Sequence, residues 1–398
     1  MDLTIIPGTL QGTINAIASK SQAHRLLICA AFSDNKTTLL CGESNQDIEA
    51  TVRCLQALGA DIQRTNDGYE VIPVTVFPKT AILDCGESGS TLRFILPIVC
   101  ALGIETTIHM SGRLPYRPLS PLWEELERMG INLSRPTETT IHTSGKLMPG
   151  TFEIAGNVSS QYISGLLLAL PLLNGNSNIS IVGTLESKPY VDMTLKALKR
   201  FGVHIHNFSI SGAFPFTSPG VLNVEGDWSN GAFFLAAKAM GSALEIHGLD
   251  TDSPQGDRAV QHIIDNHETL PIISAADIPD LVPILSVYFA VNGGAIFTDI
   301  SRLRLKESDR VQAVCDMLRA LGIRAEASEH ELKVTGGTFT GGVVNACNDH
   351  RIAMSAAIAA TVAGGPVTIL GAECVAKSYP AFWQEYKRLG GIYEQYIR

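Results

Sequence analysis

Eight cations stand in or beside short polar clusters of this chain: Lys20 and Arg25 in SKSQAHR, Arg93 in GSTLR, Arg117 in SGRLPYRPL, Lys306 and Arg310 in LRLKESDR, Arg351 in NDHR and Lys377 in VAKSYP. The 398-residue chain has a net charge of −9, so this basic set opposes the global sign. A small substrate with several negative charges is the simplest reason for it. A charge-assisted hydrogen bond contributes about 1.5–3 kcal/mol, whereas a helix N-terminus adds about 0.3–1. Side chains therefore hold such an anion and helix ends orient it. Arg offers a carboxylate or phosphate two parallel donors, while Lys is a point charge whose pKa moves on burial and can carry a proton.

Two carboxylates stand among these cations, Asp280 in IPDLVPIL and Glu307 beside Lys306. Asp280 opens an apolar run, which fits either a buried acid–base group or a plain helix N-cap. Glu307 alone reads as a solvated helix charge, and His350 as a capping or packing histidine. His204 and His206 alternate as exposed strand residues, without the third partner a metal site needs. The chain has no GxGxxG, GxxxxGK[ST] or GxSxG motif, so general acids, bases and cations are left to do the chemistry.

The elements that must position these groups repeat. Ser21, Ser90, Ser160, Ser229, Pro279 and Asp349 anchor six polar clusters, spaced 69, 70, 69, 50 and 70 residues apart, each in front of an apolar run. Such runs (LLLALPLL, AAIAATVA, FFLAAKAM) are apolar all round and must be enclosed on several sides. Amphipathic helices follow at 51–60, 121–131, 193–203, 310–323 and 382–391. They end in Gly59, Gly130, Gly202, Gly322 and Gly390, which suit left-handed C-caps. The contracted spacing locates a trimmed copy, with its helix at 259–266. The pattern predicts compact βαβ-type modules of about 70 residues, too long for most solenoid repeats. Three buried parallel helices wrapped by sheets would form one domain over 19–223, and three more the second over 1–18 plus 224–398. The chain would cross near 12–18 and 222–226, as a hinge.

Hydrophobic content of 45% with 17% charged residues describes an ordinary globular enzyme-like chain. Neither a signal peptide nor a membrane span is predicted, which points to the cytoplasm. The acidic balance disfavours nucleic-acid and anionic-membrane partners. None of the eight cysteines forms a CxxC pair, so reduced core thiols are expected and a metal site is not.

With KESDR, NDHR, VSSQ, SKPY, AKSYP and the sixfold spacing assembled, the chain resembles the 5-enolpyruvylshikimate-3-phosphate (EPSP) synthase family, the 3-phosphoshikimate 1-carboxyvinyltransferases of aromatic amino-acid biosynthesis, from first strand to last helix. The resemblance implies an α/β (α+β) fold: a two-domain inside-out α/β barrel of six βαβαββ repeats that closes on its substrates. It implies carboxyvinyl transfer from phosphoenolpyruvate to the 5-hydroxyl of shikimate 3-phosphate by a monomer, through a tetrahedral intermediate that loses phosphate, without metal or cofactor.

Position by position, the resemblance assigns Lys20, Ser21, Arg25, Ser159, Ser160, Gln161, Ser187, Tyr190, Asp280 and Lys306 to shikimate 3-phosphate. It assigns Lys20, Gly89, Arg117, Gln161, Arg310, Arg351 and Lys377 to phosphoenolpyruvate. Asp280 would accept the hydroxyl proton, Glu307 would donate to the methylene carbon, and Lys20, Lys377 and His350 complete the catalytic set. Two positions depart from the common pattern: Glu87 stands where an amide is usual, and Arg302 where some members place an Asn ligand. The sister transferases that act on a UDP-sugar share the fold, but SGRLPYRP lacks their loop Cys. A DNA clamp would need positive charge spread over its bore. An inactive ligand-binding relative would not need the acid–base positions, all of which are occupied.

Overall fold

The computed structural model describes residues 1–213, 215–266 and 271–396. Its contacts divide the chain into two compact units, a first of Ala18–Glu225 and a second of Met1–Ile17 with Gly226–Arg398.

In the first unit, α1 (Lys20–Ala31), α3 (Gly89–Leu102) and α5 (Ser160–Ala169) pack together and are buried nearly all round. The amphipathic helices α2 (Gln46–Ala57), α4 (Leu122–Arg128) and α6 (Lys188–Arg200) each bury one face. Three sheets accompany them. One runs β13 (Val221–Asn223), β3 (Thr37–Leu40), β5 (Gly68–Ile72), β4 (Asp61–Arg64); a second runs β6 (Thr80–Asp84), β7 (Glu105–His109), β9 (Thr140–Gly145), β8 (Ile131–Thr137); the third runs β10 (Thr151–Ala155), β11 (Ser177–Val182), β12 (Ser209–Ile210). Strand β6 buries Ala81 and Leu83 and exposes its alternate residues, as a sheet with one face on a helical core must.

The second unit repeats the scheme with α7 (Trp228–Ala239), α9 (Val282–Val291) and α11 (His350–Ala359) inside, and α8 (Ala259–Asp265), α10 (Arg310–Ala320) and α12 (Phe382–Arg388) as the amphipathic set. Its sheets are β15 (Ile272–Ser274), β16 (Gly294–Thr298), β18 (Glu331–Thr335), β17 (Ala325–Ala327); then β19 (Gly342–Asn345), β20 (Val367–Leu370), β1 (Asp2–Ile6), β21 (Ile392–Tyr396); and the pair β14 (Ala243–His247), β2 (Gln11–Asn15). The N-terminal strand β1 thus completes the sheet of the last repeat.

Each four-stranded sheet pairs its first two strands parallel and the rest antiparallel. A parallel pair needs a long crossover, and α3, α5, α9 and α11 each supply one. This explains why four of the six polar clusters open onto an apolar helix.

Helix starts differ from the expected anchors. The caps are Ser19, Ser88, Ser159, Asp227 and Asp349, whose side chains accept from the backbone N–H of Gln22, Thr91, Gln161, Asn230 and Arg351. The first four anchors therefore lie inside the helices, with their hydroxyls released from capping. The outer-helix glycines do take positive φ, from 81° at Gly202 to 108° at Gly59. His204 and His206 are exposed but lie outside the named strands, because the third sheet has only three strands. Seven cysteines are buried as expected, whereas Cys347 is exposed.

One close approach fixes the first core. Pro97 lies inside α3 and has no N–H to offer the Arg93 carbonyl one turn earlier. Helix α5 comes against that carbonyl through Gly165, where an added Cβ would sit 2.1 Å from the Arg93 oxygen. Only glycine permits this contact, which draws the starts of α3 and α5 together.

Candidate active site

In the first unit the cations gather at the starts of the three inner helices. Arg25 is buried, and all its hydrogen-bond acceptors are neutral: Thr194 Oγ1 at 2.7 Å, the Ser21 carbonyl at 2.6 Å, the Tyr190 carbonyl at 3.0 Å and Ser164 Oγ at 3.4 Å. The Phe94 ring lies 4.9 Å from its guanidinium carbon. Burial pulls Arg25 down to about 10, against the opposing influence of Tyr190 and Cys29, so it remains a cation at neutral pH. A buried charge among neutral acceptors is costly unless an anion joins it.

Lys20 Nζ, at the first position of α1, donates to Asp47 Oδ2 at 2.7 Å. Gln161 Nε2 donates to Ser90 Oγ at 2.9 Å and links the starts of α5 and α3. Over Gly89, an added Cβ would meet Arg93 Nη1 at 2.6 Å and Arg117 Nη1 at 2.7 Å. Two guanidinium groups therefore converge on one helix start, and the missing side chain makes room for them. Ser187 takes the left-handed conformation, at φ 53°, ahead of α6, and Tyr190 follows in the first turn. The expected residues of this unit thus fall at four helix starts.

A buried chain of hydroxyls, not foreseen from the sequence, ties these starts together. His24 Nδ1 lies 2.7 Å from Thr51 Oγ1, Thr51 Oγ1 lies 2.7 Å from Thr91 Oγ1, and Thr91 Oγ1 donates to the cap Ser88 Oγ at 2.8 Å. Burial first, then Lys20 and Arg25, hold the His24 imidazole well below its ordinary value. His24 is therefore neutral and adds no charge next to Lys20 and Arg25. Its presence inside SKSQAHR was the one available signal.

In the second unit Arg310 is the centre. Its side chain is 0% exposed, and it donates to Asp280 Oδ1 at 2.7 Å, Glu307 Oε2 at 2.6 Å and Asp349 Oδ2 at 3.0 Å. Burial alone would lower its pKa, but Asp349, Glu307 and Asp280 outweigh that and raise it. Asp349 also accepts from Ser308 Oγ at 2.9 Å while capping α11.

Asp280 does not cap its helix. Leu281 occupies the cap position of α9 and makes no side-chain cap bond. Of the three inner helices with a carboxylate at the start, α7 and α11 use theirs as the cap, and α9 does not. Asp280 Oδ2 accepts from Arg351 Nη2 at 3.1 Å, and Lys306 Nζ lies 3.3 Å from Oδ1. Burial pushes this carboxyl up, but Arg351, Lys306 and Arg310 together hold it well below the usual carboxylate range. Lys306 is itself lowered, burial and Arg310 outweighing Asp280. Glu307 is not a solvated helix charge, because it is bound to Arg310. Lys377 Nζ donates to the Asn348 carbonyl at 2.8 Å, and His350 is the buried first residue of α11.

The units thus carry different chemistry. The first gathers cations with an unmatched buried charge at Arg25, suited to holding anions. The second carries three carboxylates interlocked with Lys306, Arg310 and Arg351, suited to moving protons. Among the described residues no group of three or more His, Cys, Asp or Glu is arranged to hold a metal ion. No helix among them is long and apolar enough to cross a membrane.

The family model described as EPSP synthase (3-phosphoshikimate 1-carboxyvinyltransferase) matches residues 5–269 and 261–386. A 3-phosphoshikimate 1-carboxyvinyltransferase of Clostridium novyi is 40% identical over 99% of both chains. That of Clostridioides difficile is 38% identical over 99% of this chain and 98% of its own. In fold, the chain is similar to an EPSP synthase of Acinetobacter baumannii, with a TM-score of 0.80 at 24% identity over 99% of this chain and all of that one. The enolpyruvyl transferase NikO of Streptomyces tendae shares the fold with a TM-score of 0.78 at 17% identity, over 99% of this chain and 98% of its own. The repeated modules, the cations at the helix starts and the full-length match lead to one conclusion: the chain belongs to the EPSP synthase (3-phosphoshikimate 1-carboxyvinyltransferase) family.

Proposed function

We propose that this chain transfers the carboxyvinyl group of phosphoenolpyruvate to the 5-hydroxyl of shikimate 3-phosphate and releases phosphate. The supporting observation is that one buried guanidinium, Arg310, holds two carboxylates on separate N–H groups, Asp280 on Nη1 and Glu307 on Nη2. The reaction needs such a pair, because one proton leaves the attacking hydroxyl while another reaches the methylene carbon. Asp280, held ionised, accepts the first; Glu307 delivers the second. The tetrahedral adduct then loses phosphate while the methyl group made from the methylene carbon returns a proton to the Glu307 carboxylate, which restores the carbon–carbon double bond, and Lys20 or Lys377 protonates the departing phosphate.

Arg25, Ser21, Ser159, Ser160, Gln161, Ser187 and Tyr190 hold shikimate 3-phosphate, Lys20 and Lys306 touching it as cations. Gly89, Arg117, Gln161, Arg351 and Lys377 receive phosphoenolpyruvate, with His350 lining the same place. Arg310 adds its charge to the phosphoenolpyruvate set while it holds Asp280, Glu307 and Asp349. A carboxylate held by three cations is a weak base. Substrate anions that draw Arg351 and Lys306 away restore its basicity, so base strength appears only when substrate is bound. The enzyme so described is monomeric and cytoplasmic.

The direct test mixes purified protein with shikimate 3-phosphate and phosphoenolpyruvate and follows phosphate. Release is expected only with both substrates; release with a UDP-sugar acceptor instead would overturn the assignment. A second expectation concerns Gly89→Ala. Its Cβ would displace Arg93 and Arg117, and loss of one charge-assisted bond corresponds to about a tenfold or greater rise in the KM for phosphoenolpyruvate. An unchanged KM in steady-state kinetics would separate Gly89 from that ligand.

A further inference from the structure

The cluster that opens α7, DWSN, matches no ligand motif of the family, yet it contacts a buried acid that the reaction as described leaves unused. Asp257 is 1% exposed and sits in the turn Gly256–Arg258. Gln255 anchors that turn to the start of α7, accepting from Trp228 N at 3.0 Å and donating to the Gly226 carbonyl at 2.8 Å. Ser229 Oγ is hydrogen-bonded to Asp257 Oδ2. Asp257 Oδ1 is buried without a hydrogen-bond partner among the described residues. An ionised carboxylate would not leave a buried oxygen bare, whereas a carboxylic acid tolerates it far better.

We propose that Asp257 is a positioning residue of the transfer reaction, a buried carboxylic acid whose neutral form leaves Arg351 available to phosphoenolpyruvate and whose ionised form competes for it. The charged and polar groups that act on it come from three elements. Asp280 lies ahead of α9, Arg351 in the first turn of α11, and Asp227 and Ser229 at the start of α7. Burial, then the charge of Asp280, push Asp257 up to about 7, with Arg351 and Ser229 opposing and Asp227 adding. Two neighbouring carboxyls do not both ionise freely. Asp280 keeps the negative charge because three cations bind it directly, and Asp257 keeps the proton. Above neutral pH Asp257 ionises, and its added negative charge acts on Arg351, which already donates to Asp280, and weighs against the incoming anion. The KM for phosphoenolpyruvate then rises with pH.

This inference rests on the proposed role of Arg351. It is tested by measuring kcat and the KM for phosphoenolpyruvate across neutral pH in the wild-type chain and in Asp257→Asn, which keeps the shape of the neutral acid but cannot ionise. The expected result is a wild-type KM that rises through a midpoint of about 7 and a profile that is flat there in Asp257→Asn. A flat wild-type profile, or a rise that persists in Asp257→Asn, overturns the proposal. A purely structural role would lower kcat or stability and leave the pH dependence of KM in place. Infrared spectroscopy of wild-type protein with carbon-13-labelled aspartate provides a readout independent of activity. A buried protonated carboxylic acid should be seen below neutral pH and be lost above it, and its absence on the acid side also overturns the proposal. If wild-type protein releases no phosphate, the proposed function fails, and the infrared titration still decides the state of Asp257.

Discussion

Asp280→Asn lowers turnover by at least about 10²-fold, the loss typical when a general base is removed, while shikimate 3-phosphate binding stays within about tenfold, a change of about 1.4 kcal/mol. Asn keeps the size of the side chain and an oxygen to accept from Arg310 or Arg351, so the cation cluster around it is preserved. The side chain is only 18% exposed, and among the described residues of the second unit no other carboxylate is bound by three cations while released from helix capping. Turnover is read by phosphate release and binding by titration calorimetry. Wild-type turnover in the variant would remove Asp280 from proton transfer.

The same substitution has a stability signature whose sign follows from the lowered pKa. A carboxyl held below its unfolded value stabilises the fold above the ordinary carboxylate range, and that contribution is lost as pH falls through the folded value. The difference in Tm between wild type and Asp280→Asn should therefore be largest near neutral pH and shrink below about pH 4. A difference that grows on acidification would contradict the ion-cluster account.

Arg310→Met destabilises the chain by about 3–5 kcal/mol, the cost of breaking a buried ion pair by removing one partner. Met roughly replaces the apolar stem, so the loss reports the charge. Asp349 is 0% exposed and bound through Arg310 Nε, and without the cation it must take up a proton or draw in water. Arg310→Lys should recover part of the loss, since one ammonium cannot hold Asp280, Glu307 and Asp349 in the same geometry. Urea denaturation measures both. A loss below about 1 kcal/mol, the scale of an exposed pair, would mean that the three carboxylates do not depend on Arg310.

The repeated architecture was legible because it rests on local physics. Apolar helices behind capped starts, and glycines that end the outer helices, follow from burial and backbone geometry within about ten residues of each signal. The trimmed fourth copy showed as shortened spacing, and α8 and the two-stranded β14–β2 sheet stand there. Less legible was which polar residue in a cluster caps and which is released. Ser19, Ser88 and Ser159 take the capping bonds, where Ser21, Ser90 and Ser160 had been expected to anchor the clusters. A displacement of one or two residues decides this, and it depends on where the preceding strand ends.

The sequence by itself determined the repeat, the buried helices, the family and the identities of the charged residues near helix starts, since periodicity, capping chemistry and motif order are local properties. Only the tertiary structure decided their partners. Arg310 meets Asp280 and Asp349 across separations of 30 and 39 residues, and His24 joins Ser88 through Thr51 and Thr91. Asp257, an unremarked residue in a short turn, is placed against Ser229 and under the charge of Asp280. Whether a carboxyl is a cap, a base or a protonated acid is set by the charges and burial around it, and those come from segments distant in the chain that only packing brings together.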